Sequence, residues 1–318
     1  MKHYNKGVYP TMITPFTKNG EIDYDGVDKI VDFYIERGCD GIFAVCQSSE
    51  MIFMTLEERV KLAKRVVNRV DGRINVVASG HCADSIDEQI KEVNAMAETG
   101  ADAIILVSNR LDLHNDGDKV WINNAKRLLK GIDKNIDLGI YECPMPYKRL
   151  LTPEIIDWCL ETGRFKFIKD TCCDPDLLVK RLDQLNGSDL YLFNANAQTT
   201  LHSLQHGAAG YSGIMANFHP ELYVWLCNHF KDEPKKAETL QAFLSMYAFT
   251  ECMHYPITAK YHMNLEDIDI DLYTRWKNQK ECTEYEKLVI RQGYDFEKQI
   301  MELIDNIWFR RAYNGNKY

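Results

Sequence analysis

Nowhere in the 318 residues is there an uninterrupted apolar run long enough for a spanning helix, so no membrane-crossing segment is expected. Positive charge is also in short supply. With 38 Lys and Arg against 47 Asp and Glu, the formal net charge is -9, which argues against nucleic acid or an anionic membrane surface as the main partner. An anionic ligand must then be held by local donors rather than by the field of the whole molecule. The stretch from Met1 to Pro10 lacks the basic-then-apolar pattern of a secretory leader, so none is expected. Ten cysteines are present, yet no Cys-x-x-Cys occurs, and the adjacent Cys172 and Cys173 have no His or Cys partner at zinc spacing. Irregular spacing in a chain of this length speaks for reduced, mostly buried thiols, with no disulfide framework and no metal, in a cytoplasmic protein. Also missing is a Gly-x-Gly-x-x-Gly turn after the first strand-like run, which a doubly wound dinucleotide-binding sheet would lead one to expect.

What is present is an alternation. Short runs rich in Val, Ile and Phe at 7–14, 41–45, 75–79, 101–107, 137–143, 165–170, 190–194 and 209–214 alternate with longer amphipathic stretches. The helical stretches carry start signals: Asp23, Thr55 with Glu58 three residues on as a capping box, Ser85, and Thr152-Pro153. Gly38, Gly100, Gly163 and Gly207 each follow a helical run and precede a strand, as a C-cap glycine does. Eight such units, spaced by about 20–35 residues, predict an α/β fold of the TIM (β/α)₈ barrel type. Beyond Pro220 the strand signal stops. Helices are predicted at 221–230, 235–251 and 282–309, the last with Ile300, Leu303, Ile304 and Ile307 as its apolar stripe. The expected organisation is a catalytic barrel over 1–230 and a C-terminal helical extension over 231–318 packed on it or on a partner subunit.

In such a barrel the active site lies at the C-terminal ends of the strands. The sixth strand there ends on Lys169. A lysine closing an apolar strand is placed where water is scarce, and desolvation disfavours the ammonium form, leaving a nucleophilic amine. The fifth strand brings Tyr141, the second the turn Cys46-Gln47-Ser48-Ser49-Glu50, and the eighth Ser212-Gly213-Ile214. An amine, a phenol able to move protons and a turn rich in hydroxyl and amide groups are the parts needed to form a Schiff base with a 2-keto acid.

In order and spacing, Thr14-Pro15-Phe16, Asp40-Gly41 before that turn, Tyr141-x-x-Pro144, Ile168-Lys169-Asp170 and Gly207-Ala208-x-Gly210 resemble the dihydrodipicolinate synthase and N-acetylneuraminate lyase family of class I pyruvate aldolases. The resemblance covers about residues 7–230 and implies that Lys169 forms the imine, so that no cofactor beyond that covalent link is needed. It further implies that Tyr141 shuttles the proton, that Ser48 and Ser49 with their amides hold the carboxylate of a pyruvate unit, and that the chain assembles as a homotetramer, a dimer of dimers.

Departures from the family pattern bear on the rest of the substrate. Gln47 stands where the family has the first Thr or Ser of a Gly-Thr-Thr-Gly-Glu-like turn, so a tyrosine–threonine–tyrosine relay is not copied intact. The tyrosine pair after the fourth strand, which normally crosses a subunit interface, is replaced by Ser108-Asn109-Arg110-Leu111. Pro146 occupies the position of the arginine that binds the second substrate in the synthases, with Lys148 and Arg149 close but out of register as loop cations. Asn196-Ala197 replaces the Asp-Glu pair of the sugar-acid lyases, although Asn194 and Asn196 can still bond hydroxyls. Arg110, Asp112 and His114 are further specificity candidates. The expected activity is cleavage or condensation of pyruvate with an aldehyde, on a sugar-derived 2-keto acid, by aldolase or dehydratase chemistry. The alternatives are 4-hydroxy-tetrahydrodipicolinate synthase and a non-catalytic barrel that binds a keto acid.

Overall fold

The computed structural model describes residues 4–305. Eight parallel strands, β1 (Gly7–Val8), β2 (Gly41–Ala44), β3 (Asn75–Ala78), β4 (Ala103–Val107), β5 (Leu138–Tyr141), β6 (Phe165–Asp170), β7 (Tyr191–Asn194) and β8 (Gly210–Tyr211), form one sheet in the order β1-β8-β7-β6-β5-β4-β3-β2. The two ends of that order meet. A bridge joins Thr11 to Phe43, and the Met12 amide donates to the Phe43 carbonyl at 3.1 Å while the Phe43 amide donates to that of Pro10 at 3.0 Å, which closes the TIM barrel. On the other side of β1 the fit is tight enough to exclude a side chain, because a Cβ on Gly210 would stand 1.7 Å from the Gly7 carbonyl oxygen.

Helices α1 (Tyr24–Glu36), α2 (Leu56–Val70), α3 (Ile86–Ala97), α4 (Asp118–Lys130), α5 (Pro153–Thr162), α6 (Pro175–Leu185), α7 (Thr200–Gln205) and α8 (Pro220–His229) alternate with the strands. Asp23, Thr55, Ser85 and Thr152 cap their helices through the side chain, and Thr55 and Glu58 form both halves of the capping box. Gly163 ends α5 at φ 65°, the left-handed region that costs glycine least. The barrel interior is packed rather than hollow: Phe167 and Phe193 stack at 4.3 Å, with the Tyr9 ring edge-on to both.

Several elements differ from the sequence reading. The predicted strand 7–14 pairs as β1 only over Gly7–Val8, because beyond it the chain crosses from β8 to run beside β2. The predicted strand 209–214 stops at Tyr211 and turns into a 3-10 helix over Ile214–Asn217. A helix absent from the prediction, α10 (Ile257–Leu265), follows α9 (Pro234–Tyr247); it buries Thr258, Lys260 and His262 as well as Ile257, Ala259 and Met263, so burial runs around the helix on polar and apolar residues alike and no stripe shows. The predicted helix 235–251 is α9 followed by a separate 3-10 turn over Ala248–Cys252. In α11 (Glu284–Asp305) Ile300 and Ile304 are buried as expected, but Met301 takes the place of Leu303, which is 65% exposed; Ile307 lies outside the described residues. Glu297 seats α11 by reaching between His219 and His262, at 3.3 and 3.4 Å.

Strand alternation sets up the mouth of the barrel. Tyr141 and Lys169 face inward at the ends of β5 and β6, paired in register, so the next residues, Glu142 and Asp170, point outward. Both carboxylates are fully buried and both meet Arg181 of α6, which donates to Glu142 at 2.7 Å and to Asp170, and also to the Leu151 carbonyl at 2.6 Å. Burial pushes the Glu142 carboxyl up, reinforced by the Asp170 charge and opposed by Arg181. Burial likewise works against the Arg181 charge, but the two carboxylates outweigh it and hold the guanidinium above its ordinary range. Replacing the shared cation leaves two buried carboxylates facing each other. Arg181→Met is expected to lower the unfolding free energy by about 3–5 kcal/mol, measured by urea denaturation; a loss within error of zero would show that the clamp contributes nothing.

Candidate active site

Lys169 is 4% exposed, and its amine lies 4.1 Å from the centroid of the Tyr141 ring. Burial pulls the lysine below its ordinary pKa, opposed only in part by the Cys46 and Cys143 thiols and the Glu251 carboxylate. The same burial, with those two thiols nearby, pushes the Tyr141 phenol well above 10, so it keeps its proton at neutral pH. That proton is aimed: the Tyr141 hydroxyl donates to Gln47 Oε1 at 3.0 Å, and the Cys143 thiol donates to the same oxygen at 3.3 Å.

The turn after β2 enters and leaves through left-handed backbone, with φ 47° at Val45 and 63° at Glu50. Non-glycine residues seldom adopt this conformation, and it concentrates at functional sites. The turn sends its side chains in different directions. Gln47 and Ser48 line the cavity, where the Ser48 hydroxyl donates to Thr11 Oγ1 at 3.1 Å and both hydroxyls engage the Tyr255 phenol. Ser49 turns away. Its hydroxyl donates to the Met12 carbonyl at 2.7 Å and accepts from the Cys46 amide at 3.0 Å, and its own amide donates to the Cys46 carbonyl at 3.1 Å. Of the two serines expected to hold a carboxylate, Ser48 lines the cavity, and the Ser49 hydroxyl braces the turn. Glu50 reaches further: one carboxylate oxygen accepts from the Thr274 hydroxyl and the Arg275 and Trp276 amides at 2.6, 2.7 and 2.9 Å, while the other faces the buried Lys260 at 3.4 Å.

These groups surround a cavity of about 240 Å³ at the barrel mouth. Ile214 and Asn196 line it as expected, although the Asn196 side-chain oxygen Oδ1 is also engaged as a cap, accepting from the Thr199 amide at 3.1 Å. Asn194 does not reach it. Its amide is fully buried behind the wall, donating to Thr199 and Ser203 hydroxyls at 2.9 and 3.1 Å and accepting from the Asn196 amide at 2.8 Å, so it shapes the loop after β7. The fourth-loop candidates also lie elsewhere. Arg110 pairs with Asp84 at 2.7 Å, His114 is exposed, and Asp112 is buried against Arg149 at 2.8 Å. Arg149 is accordingly no loose loop cation, since it bridges Asp112 and Asp118. Cys173 lines the cavity as a free thiol, and among the described residues no group of three or more His, Cys, Asp or Glu is placed to hold a metal.

The lining residues Glu251, Tyr255, Trp276 and Lys277 escaped the sequence reading. They come from segments flanking α10, far along the chain, and no local motif marks them. The one usable signal was Glu50, a carboxylate in an apolar turn that had to find donors somewhere.

The dihydrodipicolinate synthetase family model matches residues 4–286. A 4-hydroxy-tetrahydrodipicolinate synthase of Methanococcus aeolicus is 27% identical over 265 residues, spanning 82% of this chain and 88% of its own length. Among solved structures, the sialic acid aldolase of Ruminococcus gnavus superposes with a TM-score of 0.83 at 17% identity, over 94% of this chain and 99% of that one. YagE of Escherichia coli K12, a member of the dihydrodipicolinic acid synthase family solved with pyruvate, superposes with a TM-score of 0.81 at 20% identity, over 93% and 98%. At those identities the structural likeness speaks for the fold.

Because Glu50 accepts from the Arg275 and Trp276 amides, Glu50→Gln is expected to speed amide exchange at those two positions while leaving exchange in β5 and β6 unchanged. Hydrogen exchange read by mass spectrometry checks this, and unchanged protection at 275 and 276 would show that other contacts hold the wall.

Proposed function

The chain belongs to the dihydrodipicolinate synthetase family, and on that footing we propose that it is a Schiff-base-forming lyase of the class I aldolase type. It would cleave, or reversibly condense, pyruvate and an aldehyde, acting on a sugar-derived 2-keto acid. The observation that carries this reading is the buried Lys169 amine set in register beside the Tyr141 phenol. The amine adds to the keto carbon and water departs, leaving a protonated imine. That imine withdraws electrons, so the C3–C4 bond can break with its pair retained as an enamine, while the C4 oxygen gives up its proton and leaves as the aldehyde carbonyl. In the condensing direction the new alkoxide takes a proton from the Tyr141 phenol, which its raised pKa keeps available. Gln47 accepts the phenol's hydrogen bond but an amide does not pass a proton on, so a hydroxyl relay through this position is not part of the scheme.

The name borne by the Methanococcus aeolicus relative favours a second reading, 4-hydroxy-tetrahydrodipicolinate synthase. Against it, the position of the second-substrate arginine is Pro146, and the nearby Arg149 is committed to Asp112 and Asp118. We further propose a homotetramer in the reducing cytoplasm, in keeping with ten unpaired thiols, and a barrel over 1–230 whose extension, 231–318, supplies part of the active site.

Borohydride added with pyruvate is expected to leave a stable mass increase on the peptide carrying Lys169. No adduct on natively folded protein removes the reading, and an adduct without turnover across aldehydes turns the chain into a keto-acid-binding barrel. Only the neutral amine attacks, so imine formation should rise with pH through the Lys169 pKa. Because burial lowers that pKa, the midpoint should fall below the ordinary lysine value of 10.5; trapping rates across a pH series give it, and a midpoint at or above 10.5 would deny activation by desolvation. Tyr141→Phe should still form the imine but turn over about 10²–10⁴-fold more slowly, and an unchanged kcat would take the phenol out of the mechanism.

A further inference from the structure

The wall of the cavity built from residues 251–277 carries two charges that the reaction just described does not use. Glu251 sits in the 3-10 turn Ala248–Cys252, facing the cavity and Lys169. Burial raises its carboxyl pKa, with the Lys169 charge opposing. Its carboxylate has no hydrogen-bond or ion-pair partner among the described residues. Lys277 is a half-buried cation in the same wall. Its ammonium stands 5.1 Å over the Trp276 ring, and no carboxylate among the described residues pairs with it. Its neighbour Arg275 shows the contrast. That guanidinium is locked to Glu58 at 2.7 Å and to the Gly20 carbonyl at 2.8 Å, and it anchors the segment. One cation of the Arg275-Trp276-Lys277 run therefore holds the wall in place, and the other is left facing the cavity.

In a protein of net charge -9, an unpaired lysine inside a concave site is a local feature rather than part of a basic field. Desolvated polar groups lining a pocket are ordinarily matched by the ligand. A carboxylate that lacks donors suits hydroxyl groups, each of which can donate to it. An ammonium with three donors and no counter-ion suits an anion.

We propose that this second wall is the acceptor subsite, and that it takes a hydroxylated chain whose hydroxyls donate to Glu251 and whose far end carries an anionic group paired with Lys277. The substrate class is thus a polyhydroxy 2-keto acid with a second acidic group, a carboxylate or a phosphate, at the end remote from the keto acid. As a statement about the substrate this rests on the Schiff-base reading; as a statement about binding it stands apart from it.

Calorimetric titration of the full chain with three unreactive probes tests the proposal. Gluconate has one acid end, glucarate adds a carboxylate at the other, and 6-phosphogluconate adds a phosphate. At least one of the two-ended probes is expected to bind about tenfold or more tighter than gluconate, equivalent to about 1.4 kcal/mol. Lys277→Met, at a half-exposed position without an ion pair, should collapse that ratio to about one. Tighter binding of glucarate identifies the far group as a carboxylate, and tighter binding of 6-phosphogluconate identifies a phosphate. Equal affinities in the wild type, or a preference that survives in Lys277→Met, overturns the proposal. Trapping of pyruvate on wild-type Lys169 is read separately, so failure of the imine chemistry and failure of the subsite give different results.

Discussion

Arg181 lies between two buried carboxylates that strand alternation forces outward, directly behind the two side chains that face the cavity. Tyr141 closes one strand with Glu142 directly after it, and Lys169 and Asp170 close the next. Whatever fixes the outward pair also fixes the inward one, because a slip of one residue would exchange them. Glu142 adds to the lock by accepting from the Leu151 and Thr171 amides at 2.7 and 2.9 Å, which pins both loops that leave these strands. The ion cluster is thus the outer half of a device whose inner half is the amine and the phenol.

That device is also why the centre of the site was legible in the sequence. A lysine and a tyrosine closing adjacent apolar strands can be placed from strand periodicity and from the rule that barrel chemistry sits at strand C-termini. The rule weakens one residue past the strand. Ser48 and Ser49 read alike as hydroxyls, but the turn begins in a left-handed conformation at Val45, and the backbone that follows sends one hydroxyl to the cavity and the other to the Met12 carbonyl. Asn194 lies away from the cavity for a related reason: an amide can satisfy hydroxyls of its own chain as readily as those of a ligand, and it donates to Thr199 and Ser203. Periodicity ranks faces of an element and says nothing about irregular backbone.

The second wall lay beyond that kind of reading. Helix α10 is buried on polar residues, so its sequence carries no stripe, and the segments on either side of it are irregular. One tie between them and the barrel is Glu50, a carboxylate whose donors at 274–276 lie more than 200 positions away in the chain. A buried carboxylate without donors is costly enough that such donors had to exist, but nothing local to Glu50 says where.

Gln47 shows how one side chain sets the chemistry of the cavity beside Lys169 and Tyr141. Its side-chain oxygen has two lone pairs, and both are taken, by the Tyr141 phenol and the Cys143 thiol. What the amide can still offer is its NH₂ group, a donor without a proton to transfer. On the reading proposed above, a position that could relay protons has become one that orients the phenol on one side and can donate to a carboxylate on the other. Proton traffic then runs through Tyr141 alone, in a pocket whose burial keeps that phenol protonated and draws the neighbouring amine below its ordinary pKa. Such a site suits a reaction that returns the same proton it removes, as reversible carbon–carbon cleavage does, better than one that must pass protons onward to solvent.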